Sequence, residues 1–473
     1  MAGPSDAAGG ERGVCVDRSQ KVRRRLALLP ARVISLSFLA VIGIGTALLM
    51  LPISSQDGRM TGFADALFTA TSATCVTGLI VFNTATKWSA FGQMVILCMI
   101  QIGGLGLVTF TTFFNILLGK KLGLRSMQLA QESISSSHGF EDIRRLVRMV
   151  VTASLLIELA GACLYATVLV PKYGVRGVFM SIFTAVSAFC NAGMDLFGFE
   201  EPFISLCGFD SNPVILFTTM LLIIIGGLGF MVWADLYNYR KRRSLSLHSR
   251  VVLTMTGALI LLGTAVVLLF EWSNPNTIGE MDPAQKALNA LFQSVTTRTA
   301  GFNTFDNAAM NGFTKLFCSF LMFVGAAPGS TGGGLKVTTI AVVLMTVVCV
   351  CTGRDDTIIM KRKVSKQVVY KALAILMIGV AAVGVGTLVV ISTVTAGGEP
   401  VSGLDAFYES VSAFSTVGLS VGITGHATLP SKLVLIALMF LGRVGPVSFA
   451  LSLAMRQPMD KTKVIPEGKI MVG

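Results

Sequence analysis

The chain has 473 residues, of which 53% are hydrophobic and 13% charged, and its mean hydropathy is +0.73. That balance excludes an ordinary soluble domain, in which about 25% of residues are charged. The formal net charge of +13 does not point to a nucleic-acid partner, because the basic residues sit beside the ends of long apolar stretches, where topology explains them.

Residues 1–32 carry seven Lys and Arg, with Gly and Ala early on, and predict a disordered cytoplasmic extension. The apolar stretch Val33 to Ile53 follows. It is too long for a signal peptide and runs into Leu-Pro-Ile-Ser-Ser instead of a small-residue cleavage site, so it predicts a retained helix. Seven further apolar stretches complete the set: Trp88–Leu118, Val150–Val170, Val214–Trp233, Val251–Phe270, Phe313–Cys351, Ala372–Val394 and Leu433–Met455. Each reaches the roughly 20 residues that cross a bilayer. They predict an all-α polytopic membrane protein with eight spanning helices and both termini on one side.

Six basic residues fall in 120–148, five in 240–250, six in 354–371 and four in 456–469, against seven in the opposite loops. The positive-inside rule then places both termini in the cytoplasm, and a multi-pass plasma-membrane location is expected. The run RKRR at 240–243 belongs to this pattern and needs no nuclear or nucleic-acid role.

Between the spans a polar stretch ending in glycine occurs four times: TATSATCVTGL, TAVSAFCNAGM, QSVTTRTAGFN and ESVSAFSTVGL, with glycines at 78, 193, 301 and 418. The interval is 108 to 117 residues, which predicts one unit copied four times. Each stretch follows a segment too short to span (Gly62–Ala73, Val178–Ala188, Pro283–Thr296 and Ser402–Ala413), expected to be a re-entrant half-helix. The domain pattern is therefore four helix, half-helix, filter loop, helix (M1-P-M2) repeats around one pore, over 33–119, 144–240, 250–352 and 368–456. Cytoplasmic linkers are expected at 120–143 and 353–367 and a tail at 457–473.

Four equivalent loops around an axis suit a potassium filter. Backbone carbonyls can replace an ion's hydration shell without a permanent charge that would hold it too tightly. The expected filter positions are Cys75, Val76, Thr77 and Gly78; Cys190, Asn191, Ala192 and Gly193; Thr299, Ala300 and Gly301; and Thr416, Val417 and Gly418. Only the glycine is common to all four, as main-chain coordination allows. Potassium at this filter is the single expected metal. Arg298 would repel a cation if it faced the axis, so its side chain is expected to point into the protein and hold the loop by hydrogen bonds.

Glycine-rich motifs recur inside the helix after each filter: IGGLG at 102–106 and 225–229, VGAAPG at 324–329 and LGRVGP at 441–446. Small residues permit close helix packing in membranes. The third copy continues as Gly325-Ala-Ala-Pro328-Gly329-Ser330-Thr331-Gly332-Gly333-Gly334, followed by Leu335 and Lys336, which cannot sustain a helix. An intramembrane loop at 325–336 is expected, either a gate across the permeation path or an inert break packed away from it. Arg443 lies mid-span, where a charge is a functional candidate. It either raises the barrier to cations opposite the loop or pairs with an intramembrane acid, for which Glu158 is available. Asp65, Asp405 and Glu409, with Glu158, draw cations or orient half-helices.

The nine cysteines lack CxxC pairs, and His138, His248 and His426 are scattered, so neither a zinc site nor a catalytic constellation is indicated and no enzyme is expected. A coupled secondary transporter is the nearest rival, since broken helices and repeats mark that class too, but its inverted repeats would alternate in topology.

The motifs TSATCVTGL with FNTATKWSAFGQ, SAFCNAGMDLFG, SVTTRTAGFN, GSTGGGLK and SAFSTVGL with LGRVGP resemble the Ktr/Trk/HKT superfamily of potassium transporters over roughly residues 33 to 456. The single helix before the first filter is most similar to the Ktr-type membrane (KtrB-like) subunit. The resemblance implies potassium uptake by the channel-like subunit of a Ktr system, often stimulated by Na+. It implies a membrane homodimer, one pore per chain, and a cytoplasmic RCK-type (KtrA-like) ring of nucleotide-binding subunits that controls the gate. No GxGxxG follows a strand here, so that regulator would be a separate protein and no cofactor is expected in this chain. Glycine at all four filter positions resembles potassium-selective members, whereas sodium-permeable or sodium-coupled symport remains the alternative within the superfamily.

Overall fold

The structure, a computed structural model, describes residues 30–106, 109, 140–199, 202–398 and 400–445. Most of the expected extension at 1–32 and of the linker at 120–143 lies outside the described residues, as do the tail at 457–473 and the ends of the first and last expected repeats. Fifteen α-helices occur among the described residues. In chain order they begin with α1 (Pro30–Met50), α2 (Phe63–Cys75), α3 (Thr84–Lys87), α4 (Ala90–Leu105) and α5 (Phe140–Tyr173). Next come α6 (Val175–Cys190), α7 (Pro213–Gly227), α8 (Phe230–Arg242), α9 (Leu247–Glu271) and α10 (Pro283–Thr296). The last are α11 (Gly312–Phe323), α12 (Val337–Cys351), α13 (Lys366–Ala396), α14 (Gly403–Ser415) and α15 (Leu429–Val444). One short hairpin, β1 (Ile358–Ile359) with β2 (Arg362–Lys363), joins α12 to α13.

Among the described residues, four helices are long and apolar enough to cross a membrane: α1, α5, α9 and α13. Their exposure is inverted relative to a soluble protein, since only 22–33% of each spanning window is buried and Leu261, Leu269 and Leu388 are more than two-thirds exposed. Side chains that water would reject face outward, where hydrocarbon receives them. The centre is polar instead. From Thr69 to Cys75, and again from Tyr408 to Ser415, every residue is buried, hydroxyls included.

Three of the other four apolar stretches are interrupted where the sequence predicts continuous spans, and the fourth, Phe313–Cys351, breaks where the intramembrane loop is expected. α4 ends at Gly106, α7 and α8 meet at a 94° bend around Gly229, and α15 ends at Gly445. These three glycines have φ between +81° and +90°, a conformation that a side chain disfavours, so the last glycine of each motif terminates its helix. Between α11 and α12 the break is longer, 324–336, and closes on itself through a parallel bridge from Val324 to Leu335.

Each long helix packs on the short one that follows it: α1 on α2, α5 on α6, α9 on α10 and α13 on α14. The broken helices then link successive short helices. α4 packs on α6, α7 on α10, α11 on α14, and α15 returns to α2. The packing order is a closed cycle.

Candidate functional site

Helices α2, α6 and α14 end in the same way. Val76, Asn191 and Thr416 cap them in the left-handed conformation, with Thr77 N, Ala192 N and Val417 N donating to the carbonyls of Ser72, Ser187 and Ser412 at 2.7–2.9 Å. This double closure satisfies carbonyls that a helix end leaves free. α10 runs on by a further turn before Thr299 takes the left-handed conformation at φ 64°. In all four stretches the left-handed residue stands two before the glycine and none of the four is glycine. Such a backbone costs about 1–3 kcal/mol per residue and is kept only where surroundings impose it.

The four glycines meet. A methyl group placed on Gly78 would lie 2.5 Å from the Ala192 carbonyl oxygen; on Gly193, 2.6 Å from that of Ala300; on Gly301, 2.5 Å from that of Val417. On Gly418 it would collide with the carbonyl oxygen of Thr77, which completes the circuit. The carbonyl before each glycine thus abuts the glycine before it in chain order. Cys75 and Cys190 lie behind this ring as buried, free thiols. Ser72 Oγ and Ser412 Oγ each accept from the glycine N–H of their own loop at 3.1 Å. A space of about 330 Å³ borders the four glycines and is also lined by Asp195, Asn303, Asp306 and His426.

Behind the loops, glycines of the broken helices allow contact with the carbonyl four residues before the filter position. Gly103 meets Thr74, Gly226 meets Phe189 and Gly442 meets Phe414, each too close for any side chain. The corresponding Gly325 meets Gly333 instead.

The 324–336 loop fills the centre against the ring. Thr331 Oγ1 donates to the Phe189 carbonyl and to Asn191 Oδ1, both at 3.2 Å, and Gly333 N donates to Thr416 Oγ1 at 3.1 Å. Gly332, between them, has room for nothing larger than hydrogen against Thr299 Oγ1. Three successive loop residues therefore face three of the four left-handed positions. Ends of the broken helices satisfy the loop backbone: Ala327 N and Thr331 N donate to the carbonyls of Gly227 and Gly226, Gly334 N to that of Gly442, and Phe230 N to that of Gly329. The Pro328 carbonyl faces Gly229, Ser330 Oγ donates to the Ala327 carbonyl at 2.6 Å, and Lys336 Nζ donates to the Gly332 carbonyl at 2.7 Å.

Arg443 joins the loop to α4. Its Nη1 donates to the Thr331 carbonyl and its Nη2 to the carbonyls of Gly103 and Gly104. Glu158, the alternative partner, instead accepts from Gln101 Nε2 on both oxygens at 3.0 Å. The remaining acids hold structure together. Asp65 pairs with Lys432 at 2.7 Å and Asp405 with Lys315 at 2.9 Å, each between a short helix and the broken helix packed on it. Glu409 accepts from Ser420 Oγ at 2.8 Å and from Val421 N and Thr424 N, both at 3.2 Å, bracing the segment after Gly418.

Arg298 departs from expectation. Its backbone carbonyl accepts from Asn191 Nδ2 at 3.3 Å, but Nε and Nη1 of its buried side chain have no hydrogen-bond partner among the described residues. Sequence reasoning also missed Ser72 and Ser412. The signal was there, since serine stands six residues before the glycine in three of the four stretches. The acids of the 330 Å³ space carried no such mark, because Asp195 and Asp306 fall in loops of unrelated sequence.

Lipid-facing helices around a buried polar ring define a polytopic membrane protein of the transport class. The model of the TrkH family, described as "Cation transport protein", matches residues 20–464, and the chain belongs to that family. It is similar to the Ktr system potassium uptake protein B of Bacillus subtilis, at 37% identity over 96% of this chain and 99% of that protein. It is also 36% identical to the potassium/sodium uptake protein NtpJ of Enterococcus hirae, over 96% and 99% respectively. The crystal structure of the potassium transporter TrkH from Vibrio parahaemolyticus has the same fold, with a TM-score of 0.66 at 20% identity over 88% of this chain and 84% of that one.

Proposed function

We propose that this chain takes up potassium as the channel-like, ion-translocating subunit of a Ktr-type system. Four pseudo-symmetric M1-P-M2 repeats surround one pore, and the ring of Gly78, Gly193, Gly301 and Gly418 is its filter. The observation that carries this reading is the closed circuit of carbonyls, with Ala192, Ala300 and Val417 each abutting the preceding filter glycine and Thr77 closing on Gly418. Carbonyl dipoles in a ring replace hydration for a cation of matching size. The C-terminal ends of α2, α6, α10 and α14 add partial negative charge toward the same centre.

The 324–336 loop is the gate. Its contacts with Asn191, Thr299 and Thr416, and the Arg443 bond to the Thr331 carbonyl, support a closed position directly against the filter. A cytoplasmic nucleotide-binding ring of separate subunits controls it, and the membrane subunit is a homodimer with cytoplasmic termini. The names of its Ktr relatives and the basic flanks of its spans support those assignments.

Sodium permeation or coupling is the second reading, favoured by the potassium/sodium relative. Uptake of potassium and of sodium into liposomes holding the purified chain separates the two. Potassium flux without a sodium gradient supports the channel reading, and a strict need for that gradient refutes it.

A further inference from the structure

Arg298 sits at a second site that the permeation path does not use. It is 7% exposed, and its Nε and Nη1 are buried without a hydrogen-bond partner among the described residues. It lines a small cavity together with Ile223, Ile224 and Gly227 of α7, Thr256 of α9, Val295 of α10 and Ala326 of the loop. Thr256 Oγ1 is likewise buried and unpartnered. Three polar atoms with unmet hydrogen-bonding capacity therefore border one cavity whose other side chains are apolar.

Size and chemistry restrict what can fill it. About 10 Å³ is open to the centre of a water-sized sphere, room for one small particle and too little for a phosphate or carboxylate. A guanidinium only donates, and none of the lining residues is acidic. A water could donate to Thr256 Oγ1 but would leave the guanidinium charge unbalanced, whereas a monatomic anion accepts from every donor and balances a buried charge that would otherwise be costly. We propose that Arg298 and Thr256 bind a chloride ion behind the third filter loop. The anion neutralises the guanidinium one residue before filter position Thr299, so that a permeating cation is not repelled.

The test melts the purified full-length protein in nanodiscs at fixed ionic strength in potassium chloride, bromide or gluconate. Binding predicts a midpoint higher by on the order of 2 °C in either halide than in gluconate. The difference should vanish in Thr256→Val and in Arg298→Gln. In crystals grown in bromide, an anomalous peak should lie within about 3.5 Å of the guanidinium and of Thr256 Oγ1. Equal midpoints in all three salts, an undiminished halide effect in Thr256→Val, or water at the cavity in bromide crystals would overturn the proposal. If Arg298→Gln does not fold, Thr256→Val, which keeps the side-chain volume, and the bromide peak still decide. No transport is measured, so the outcome is independent of the potassium reading.

Discussion

Replacing Gly78 by serine tests the filter directly. Gly78 has φ +98°, outside the ordinary range of a residue with a Cβ, and the left-handed conformation costs such a residue about 1–2 kcal/mol. The added Cβ would also stand 2.5 Å from the Ala192 carbonyl oxygen and 3.2 Å from the Gly193 Cα. The carbonyl must retreat by about 0.9 Å to reach the 3.4 Å of ordinary contact, away from where an ion would be coordinated. One to two kcal/mol lost at that ring is about a 5- to 30-fold change in occupancy. Potassium uptake into liposomes should fall by that factor, with sodium uptake reduced less. Gly58 supplies the control, since its φ is +63° but a Cβ there meets nothing within 4 Å, and Gly58→Ser should keep wild-type flux. Unchanged potassium flux and selectivity in a folded Gly78→Ser protein would refute the carbonyl ring as the filter.

Arg443→Gln removes charged hydrogen bonds, worth about 1.5–3 kcal/mol each, that tie the loop to α4. Resting potassium flux should rise about tenfold or more, and equal resting flux would sink the gate assignment. Between Asp65 and Lys432, single alanine substitutions should each lower stability by about 1–3 kcal/mol, and the exchanged pair Asp65→Lys with Lys432→Asp should regain part of it in thermal melts. Asp195, on the wall of the 330 Å³ space, has its carboxyl raised above the ordinary range by burial, against a hydrogen bond from Phe197 N that lowers it. A raised carboxyl gains its proton at a higher pH than usual, so acidification removes this negative charge early and any stability it contributes is lost as pH rises. Potassium flux should decline on the acidic side in wild type and less in Asp195→Asn; parallel pH profiles would exclude that role.

Much of the molecule was legible because its signals are local. Composition and apolar stretch length located α1, α5, α9 and α13, since burial in hydrocarbon depends on a contiguous run of side chains. The short helices fell within a few residues of their expected bounds, and the four glycines were evident from their period. Broken helices were harder to see. An apolar run such as Val214–Trp233 reads as one span, and only the positive φ of Gly229 shows that it turns by 94°. Arg298 was misjudged because a sequence shows that a guanidinium needs acceptors but not whether any stand near it.

By itself, then, the sequence determined a lipid-facing chain with four spaced glycine loops, because periodicity and hydrophobicity are written in neighbouring residues. Tertiary structure alone decided how those loops close. Asp65 finds Lys432 across 367 positions, Thr77 abuts Gly418, and Arg443 spans from Thr331 to Gly103. Contacts between the first and last parts of a chain depend on how every intervening helix packs, and no local pattern encodes that sum.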